Sequence, residues 1–177
     1  MSKTFNQADY VVYDNAGVCY IENITNVKFD TYSPERMCYI LKPLYNNKSV
    51  VYIPIDNEKL TGKMRYAMSK EEIDKLISES VTESIPWNDD RRRRTEEFKK
   101  ILSEKQPQVL LQLISCIYTK KKELQTIGKK ISSSDELLLQ NAERFIDEEF
   151  SYSLGISLSE VSPYVINRLK EAGATIW

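Results

Sequence analysis

Ser69-Lys70-Glu71-Glu72-Ile73 is where this chain changes period. A serine followed three residues later by glutamate is a capping box, in which each side chain reaches back to the other's backbone amide and opens a helix. Ile73, Leu76 and Ile77 then recur at helical spacing. Upstream of this point the apolar residues come in short β-rich runs. Downstream they follow a 3.6-residue repeat. The pattern predicts an α+β protein, with a β-rich domain over 1–68 and a helical bundle domain over 69–177.

Four strands are expected upstream. Tyr10-Val11-Val12-Tyr13 is the first, and Asp14-Asn15-Ala16-Gly17 is turn chemistry, with Gly17 able to take positive φ. Val18 to Ile24 is the second strand. Asn26 to Pro34 reads as a loop, although Val27 and Phe29 could prolong the strand. Met37 to Leu44 is the third, and Asn46-Asn47 turns the chain into a fourth over Ser49 to Ile53. Close-spaced short strands point to a small barrel or sandwich.

Downstream, Val81 to Pro86 breaks the first helix. A second is expected from Asn88 to Glu104, with Phe98, Ile101 and Leu102 inward. Pro107 opens a third, whose inner face holds Leu110, Leu113, Ile114, Ile117, Leu124 and Ile127. Ser133 and Glu136 form a capping box for a fourth, with Leu138, Ala142, Phe145 and Ile146 as its stripe. The segment 157–173 holds a further amphipathic helix, which Pro163 is expected to start and Gly173 to stop. Trp177 is either an anchor or a frayed tail.

Composition narrows the chemistry. The 177 residues contain no histidine, which removes the commonest general base and metal ligand. Cys19, Cys38 and Cys116 form no Cys-x-x-Cys pair, so buried free thiols in a reducing cytoplasm are expected rather than zinc or disulfides. There is no Gly-rich phosphate loop and no nucleophile elbow. Neither a catalytic residue, a cofactor nor a metal site is expected. The N-terminus lacks an apolar leader, and no run is long enough to span a membrane.

Net charge is only −1, yet it is segregated: Arg91 to Lys130 holds twelve Lys and Arg against four Glu, and Ile131 to Trp177 three against eight acids. The basic half opens with Pro86-Trp87-Asn88-Asp89-Asp90-Arg91-Arg92-Arg93-Arg94. Two readings stand. The indole and the arginines could meet nucleic acid, the charge taking phosphates and the ring wedging between bases. Alternatively Trp87 packs under a helix start, and the arginines form a solvated face paired to Asp89, Asp90, Glu96 and Glu97.

Several segments stand in a telling order. In the first half they are Asp9 to Tyr13 with Gly17-Val18, Ile53-Pro54-Ile55-Asp56-Asn57, and Gly62-Lys63-Met64-Arg65 leading to Ser69. In the second half they are Trp87 with the basic residues behind it, Ser133 through Glu136 to Leu139, Ala142 and Glu148. Together they resemble the CarD/CdnL family of bacterial RNA polymerase-binding transcription regulators. The resemblance covers roughly Phe5 to Phe150. It implies a small Tudor-like β-barrel that binds the polymerase β subunit by strand addition, with Val27, Phe29 and Tyr52 facing the partner. Some relatives carry arginines at the positions of Val27 and Tyr52, so the contact here would be more apolar.

The resemblance further implies a helical DNA-binding domain whose tryptophan, here Trp87, enters the minor groove at the upstream edge of the melted promoter and opposes bubble closure. Arg91, Arg92, Arg93 and Arg94 would take phosphates, with Lys99 and Lys100 extending the patch. Asp89 and Asp90 stand where relatives often begin their basic run, and only Arg92 matches directly. Lys120 to Lys122 and Lys129-Lys130 read as a solvated helix end. The expected protein is a cytoplasmic, non-enzymatic monomer whose partners are polymerase and promoter DNA. The alternative is an adaptor that holds polymerase and recruits another protein.

Overall fold

The computed structural model describes residues 4–46, 48–80 and 84–173. The chain divides into two compact units, Met1–Ala67 and Met68–Trp177. The first is an antiparallel sheet and the second is helical, so the architecture is α+β. Trp177 and residues 81–83 fall outside the described residues, as does Asn47 of the expected Asn46-Asn47 turn.

The sheet contains β1 (Tyr10–Tyr13), β2 (Gly17–Val27), β3 (Arg36–Pro43), β4 (Val51–Pro54) and β5 (Met64–Tyr66) in the order β4-β3-β2-β1-β5. Gly17 makes the tight β1–β2 connection at φ 67°, where a Cβ would be strained. Phe5, Val11, Tyr13, Cys19, Ile21, Tyr39, Leu41, Ile53 and Met64 form the core. Ile21 and Ile24 are both apolar but three residues apart, so a regular strand would send them to opposite faces. A bulge between Ile21 and Asn23 absorbs Glu22, so Ile21 pairs with Leu41 and Ile24 with Tyr39, both on the core side.

The expected barrel is an open ladder among the described residues: β4 and β5 end the sheet without pairing to each other. Both are short, and the one-turn helix α1 (Glu58–Thr61) intervenes between them in sequence. Neither α1 nor β5 is legible as a periodic run. The second strand runs on to Val27 because β3 continues to pair with it through Arg36.

The helical unit comprises α2 (Lys70–Ser80), α3 (Arg91–Glu104), α4 (Pro107–Thr126), α5 (Ser133–Leu154) and α6 (Leu158–Glu171). Its core gathers Ile73, Ile77, Phe98, Leu110, Leu113, Ile117, Leu139, Ala142, Phe150 and Val161. The Ser69–Glu72 capping box forms in both directions. Three boundaries depart from expectation. The α3 helix begins at Arg91, since the Asp90 side chain caps it. The α5 cap is Ser132, whose hydroxyl takes the Asp135 amide, so the cap lies one residue earlier than the expected Ser133–Glu136 box. The last helix opens at Ser157 with Glu160, and Pro163 lies inside it. Ile127 ends α4 exposed rather than inward, because the helix stops at Thr126. Tyr164 and Arg168 of α6 both bind Asp74 of α2.

Candidate protein and nucleic-acid interfaces

The sheet's outer face follows from its register. Asn23, Ile40 and Tyr52 stand in one row across β2, β3 and β4, Thr25, Cys38 and Pro54 in the next, and Val27 with Arg36 beyond. Residues directly opposite one another share a face, and these rows lie opposite to Leu41 and Ile53 of the core. Val27 and Tyr52 therefore share the outer face, and the bulge at Glu22 puts Val27 there. Phe29, just past β2, meets Tyr52 edge-on with ring centroids 6.2 Å apart. Phe29 is 50% exposed and Tyr52 44%, whereas Val27 is half-buried. An Asx turn fixes the loop behind Phe29: the Asp30 carboxylate accepts from the Tyr32 amide at 2.8 Å and the Ser33 amide at 2.7 Å. The Ser33 hydroxyl, and then these two amides, hold the Asp30 carboxyl below its usual value.

Around the aromatic pair the surface mixes apolar and paired polar groups. Arg36 donates to both oxygens of Asp56, at 2.7 and 3.3 Å. Cys38 is buried beneath, its thiol donating to the Arg36 carbonyl, and burial pushes its pKa up. Such a thiol is a packing group. The β4 strand is an end of the ladder, so one row of its backbone groups faces outward, the geometry that strand addition requires.

In the helical unit, Trp87 lies in the loop before α3. The indole is half-buried: it packs on the core, edge-on to Phe98 at 6.1 Å, yet keeps solvent access. It is thus not sealed in the interior. The loop turns into α3 through Asn88, whose side chain accepts from the Asp90 amide at 3.0 Å. Asp90 then takes the amides of Arg92 and Arg93 at 3.0 and 3.2 Å. This explains an acid at this position: a carboxylate satisfies amides that the first helical turn leaves open.

The four arginines have different surroundings. Arg92 and Arg93 are open, with side chains 89% and 77% exposed, and among the described residues their ion pairs are the long contacts to Glu96 (3.4 Å) and Asp90 (3.8 Å). Lys99 and Lys100 are also exposed and follow them by seven residues, hence on the same helix faces. Such surface pairs are worth about 0.2–1 kcal/mol, so a phosphate can displace the carboxylates. Arg91 is exposed and donates to the Ser134 hydroxyl at the start of α5.

Arg94 departs from the expected phosphate contact. Its side chain is 6% exposed and forms a buried ion pair with Asp135, itself 1% exposed. The reason is helical phase: Arg94 falls on the stripe of Phe98 and Ile101, facing the core. Its Nε and Nη2 bind the two Asp135 oxygens at 3.1 and 2.9 Å, and Nη1 donates to the Asn88 carbonyl at 2.6 Å. The guanidinium lies over the Trp87 ring, 4.1 Å from its centroid. Burial pushes the Asp135 carboxyl up, but the bonds from Arg94 and Ser132 outweigh it and hold the pKa below the usual value. Lys120, on α4, comes within 5.8 Å of the same indole. The sequence makes it part of a solvated helix end, and nothing in its local sequence places it beside Trp87. Asp135 likewise carries no local sign of a partner 41 residues away.

Among the described residues no cluster of three or more His, Cys, Asp or Glu is placed to hold a metal, and no helix is long and apolar enough to cross a membrane. Residues 5–67 match the family model of the CarD-like/TRCF RID domain. No curated protein matches the chain.

Proposed function

We propose, from the match of residues 5–67 to the CarD-like/TRCF RID domain, that the protein grips the polymerase β subunit through the outer face carrying Val27, Phe29 and Tyr52. Its helical unit then holds promoter DNA at the upstream edge of the bubble and lengthens the life of the open complex. A polymerase-binding, transcription-related role comes with the domain. The DNA contact is our reading, and one observation carries it: a half-exposed indole whose flanking helix starts with exposed Arg91, Arg92 and Arg93.

The physics is a population shift without bond chemistry. Unstacking a base step costs a few kcal/mol, and an apolar wedge offsets that cost only where the strands are already distorted. A group that binds the open junction better than the closed duplex lengthens the open state by that difference. Arg91, Arg92, Arg93, Lys99 and Lys100 supply sequence-independent attraction, while Arg94 stays inside. One copy suffices for such a bridge.

The adaptor reading draws on the exposed apolar Ile127 and Leu137, at 62% and 59%. A gel shift on forked promoter DNA separates the two. Direct DNA contact gives a complex that weakens with salt at a log–log slope of roughly −3 to −5, as about four or five phosphates are neutralised. An adaptor gives no shift. Trp87→Ala is expected to leave polymerase binding intact and shorten the open complex in a real-time fluorescence assay of promoter melting. Parent-like opening by that variant would sink the wedge.

A further inference from the structure

The loop bearing Trp87 contributes no strand or helix of its own between 84 and 90. Something else must fix the indole, and the geometry points to Arg94 and Asp135 as the residues that do so. This deepens the DNA-wedge reading and rests on it for its purpose, though not for its test.

Arg94 touches the loop twice. Its guanidinium covers the ring of Trp87 at 4.1 Å, and Nη1 holds the carbonyl of the next residue, Asn88, at 2.6 Å. A ring and an adjacent backbone oxygen, both held by one rigid plane, leave the side chain little freedom about its first torsions. The plane is itself oriented. Its other two nitrogens, Nε and Nη2, both bind Asp135, whose second oxygen also accepts from the Ser132 hydroxyl at 2.6 Å. Ser132 caps α5, so the chain of bonds ends on the start of a 22-residue helix. Phe98, fully buried, closes the arrangement from the side.

A buried ion pair is seldom the most stable filling for a core, since apolar residues of like volume often do as well or better. Retaining one makes sense where direction matters. Three acceptors, two carboxylate oxygens and a carbonyl, demand the planar fork of arginine. A lysine ammonium cannot meet all three while covering a ring. Arg94 and Asp135 are positioning residues here, and they act on DNA through Trp87. The fixed indole meets a distorted base step without first losing rotamer freedom, and such pre-organisation adds to affinity.

The test uses the full chain with Trp177→Phe, leaving Trp87 as its one tryptophan, labelled with 5-fluorotryptophan and followed by ¹⁹F NMR and acrylamide quenching. The variants are Arg94→Lys, Arg94→Met and Asp135→Asn, compared below their melting transitions as verified by far-UV circular dichroism. The parent is expected to give one sharp resonance away from the free amino-acid position. Folded variants should give a broadened or split signal and at least a twofold rise in quenching. Arg94→Lys, the mildest change, keeps the charge and separates fork geometry from simple attraction.

A sharp, unshifted resonance with parent-like quenching in folded Arg94→Lys and Asp135→Asn overturns the positioning role, whatever the DNA does. Forked DNA carrying 2-aminopurine at the junction is the second arm. A mobile indole with several-fold weaker fork preference supports both positioning and wedge. A mobile indole with unchanged fork preference supports the positioning role and refutes the wedge.

Discussion

Removing the Asp135 carboxylate by Asp135→Ala strands a charge in a place where water cannot reach it. The Arg94 side chain is 6% exposed, and two of its donors, Nε and Nη2, lose their acceptors together. An unsatisfied buried donor costs about 1–3 kcal/mol and more when charged, and breaking a buried ion pair from one side costs about 3–5 kcal/mol. We expect about 4 kcal/mol. For a helical unit of this size that corresponds to a fall in melting temperature on the order of 10–20 °C. The assay is urea and thermal unfolding followed at 222 nm, which reports mainly the helices. Replacing both partners, Arg94→Met with Asp135→Leu, should recover most of the loss, because the buried charge goes with its partner. The pH dependence has a definite sign. The native carboxyl lies below its unfolded value of about 3.9, so its contribution is complete above that value. It disappears as pH falls through the lower native one. If Asp135→Ala costs less than about 1 kcal/mol, the pair behaves like a surface contact and the argument from burial is refuted.

Three further outcomes are expected. Phe29→Ala and Tyr52→Ala should each weaken binding to a polymerase β-subunit fragment by about 1–2 kcal/mol, as central aromatic anchors do; parent-like affinity by interferometry would move the interface elsewhere. Asp90→Ala removes the acceptor of two amides at the start of α3 and should cost about 1 kcal/mol, measured as a shift in the urea midpoint without a change in slope. Burial, then Glu143 and Glu148, push the Asp147 carboxyl up to about 6. Between about 4, its unfolded value, and 6 the native state holds the extra proton, so stability falls as pH rises through that window. Asp147→Asn should therefore raise the melting temperature at pH 7.5 and lose most of that gain at pH 4.5, which a pair of thermal scans decides.

Long periodic runs were legible in the sequence, and so were caps whose partners lie three residues away. The Ser69–Glu72 box and Pro107 mark real helix starts because both act within one turn. The α1 helix and β5 were not legible: four and three residues cannot display a period, and β5 exists because β1 has an edge to offer it. Serine runs blur boundaries. Ser132, Ser133 and Ser134 can each cap, and the winner is the one from which Asp135 also reaches Arg94. The candidate sites divide the same way. The resemblance alone points to Phe29 and Tyr52, and their edge-on meeting depends on a register that spans three strands. Four consecutive arginines look equivalent as letters. A helix rotates each by about 100° from the last, and this alone sends Arg94 to the core and leaves Arg92 and Arg93 in solvent.

Pro163 sits in the body of α6, where a missing amide normally does harm. Its place around the helix decides how much. Ser159, whose carbonyl would have accepted from residue 163, is exposed, as is Pro163 itself, while Val161, Val165 and Leu169 form the dry side. The gap in the ladder thus opens where bulk water can hydrate the oxygen, and any bend curves the helix around the apolar seam rather than away from it. Shifted by two positions to 165, the same ring would orphan the carbonyl of Val161, on the buried side. The last helix tolerates its proline through angular placement, and that tolerance should be narrow.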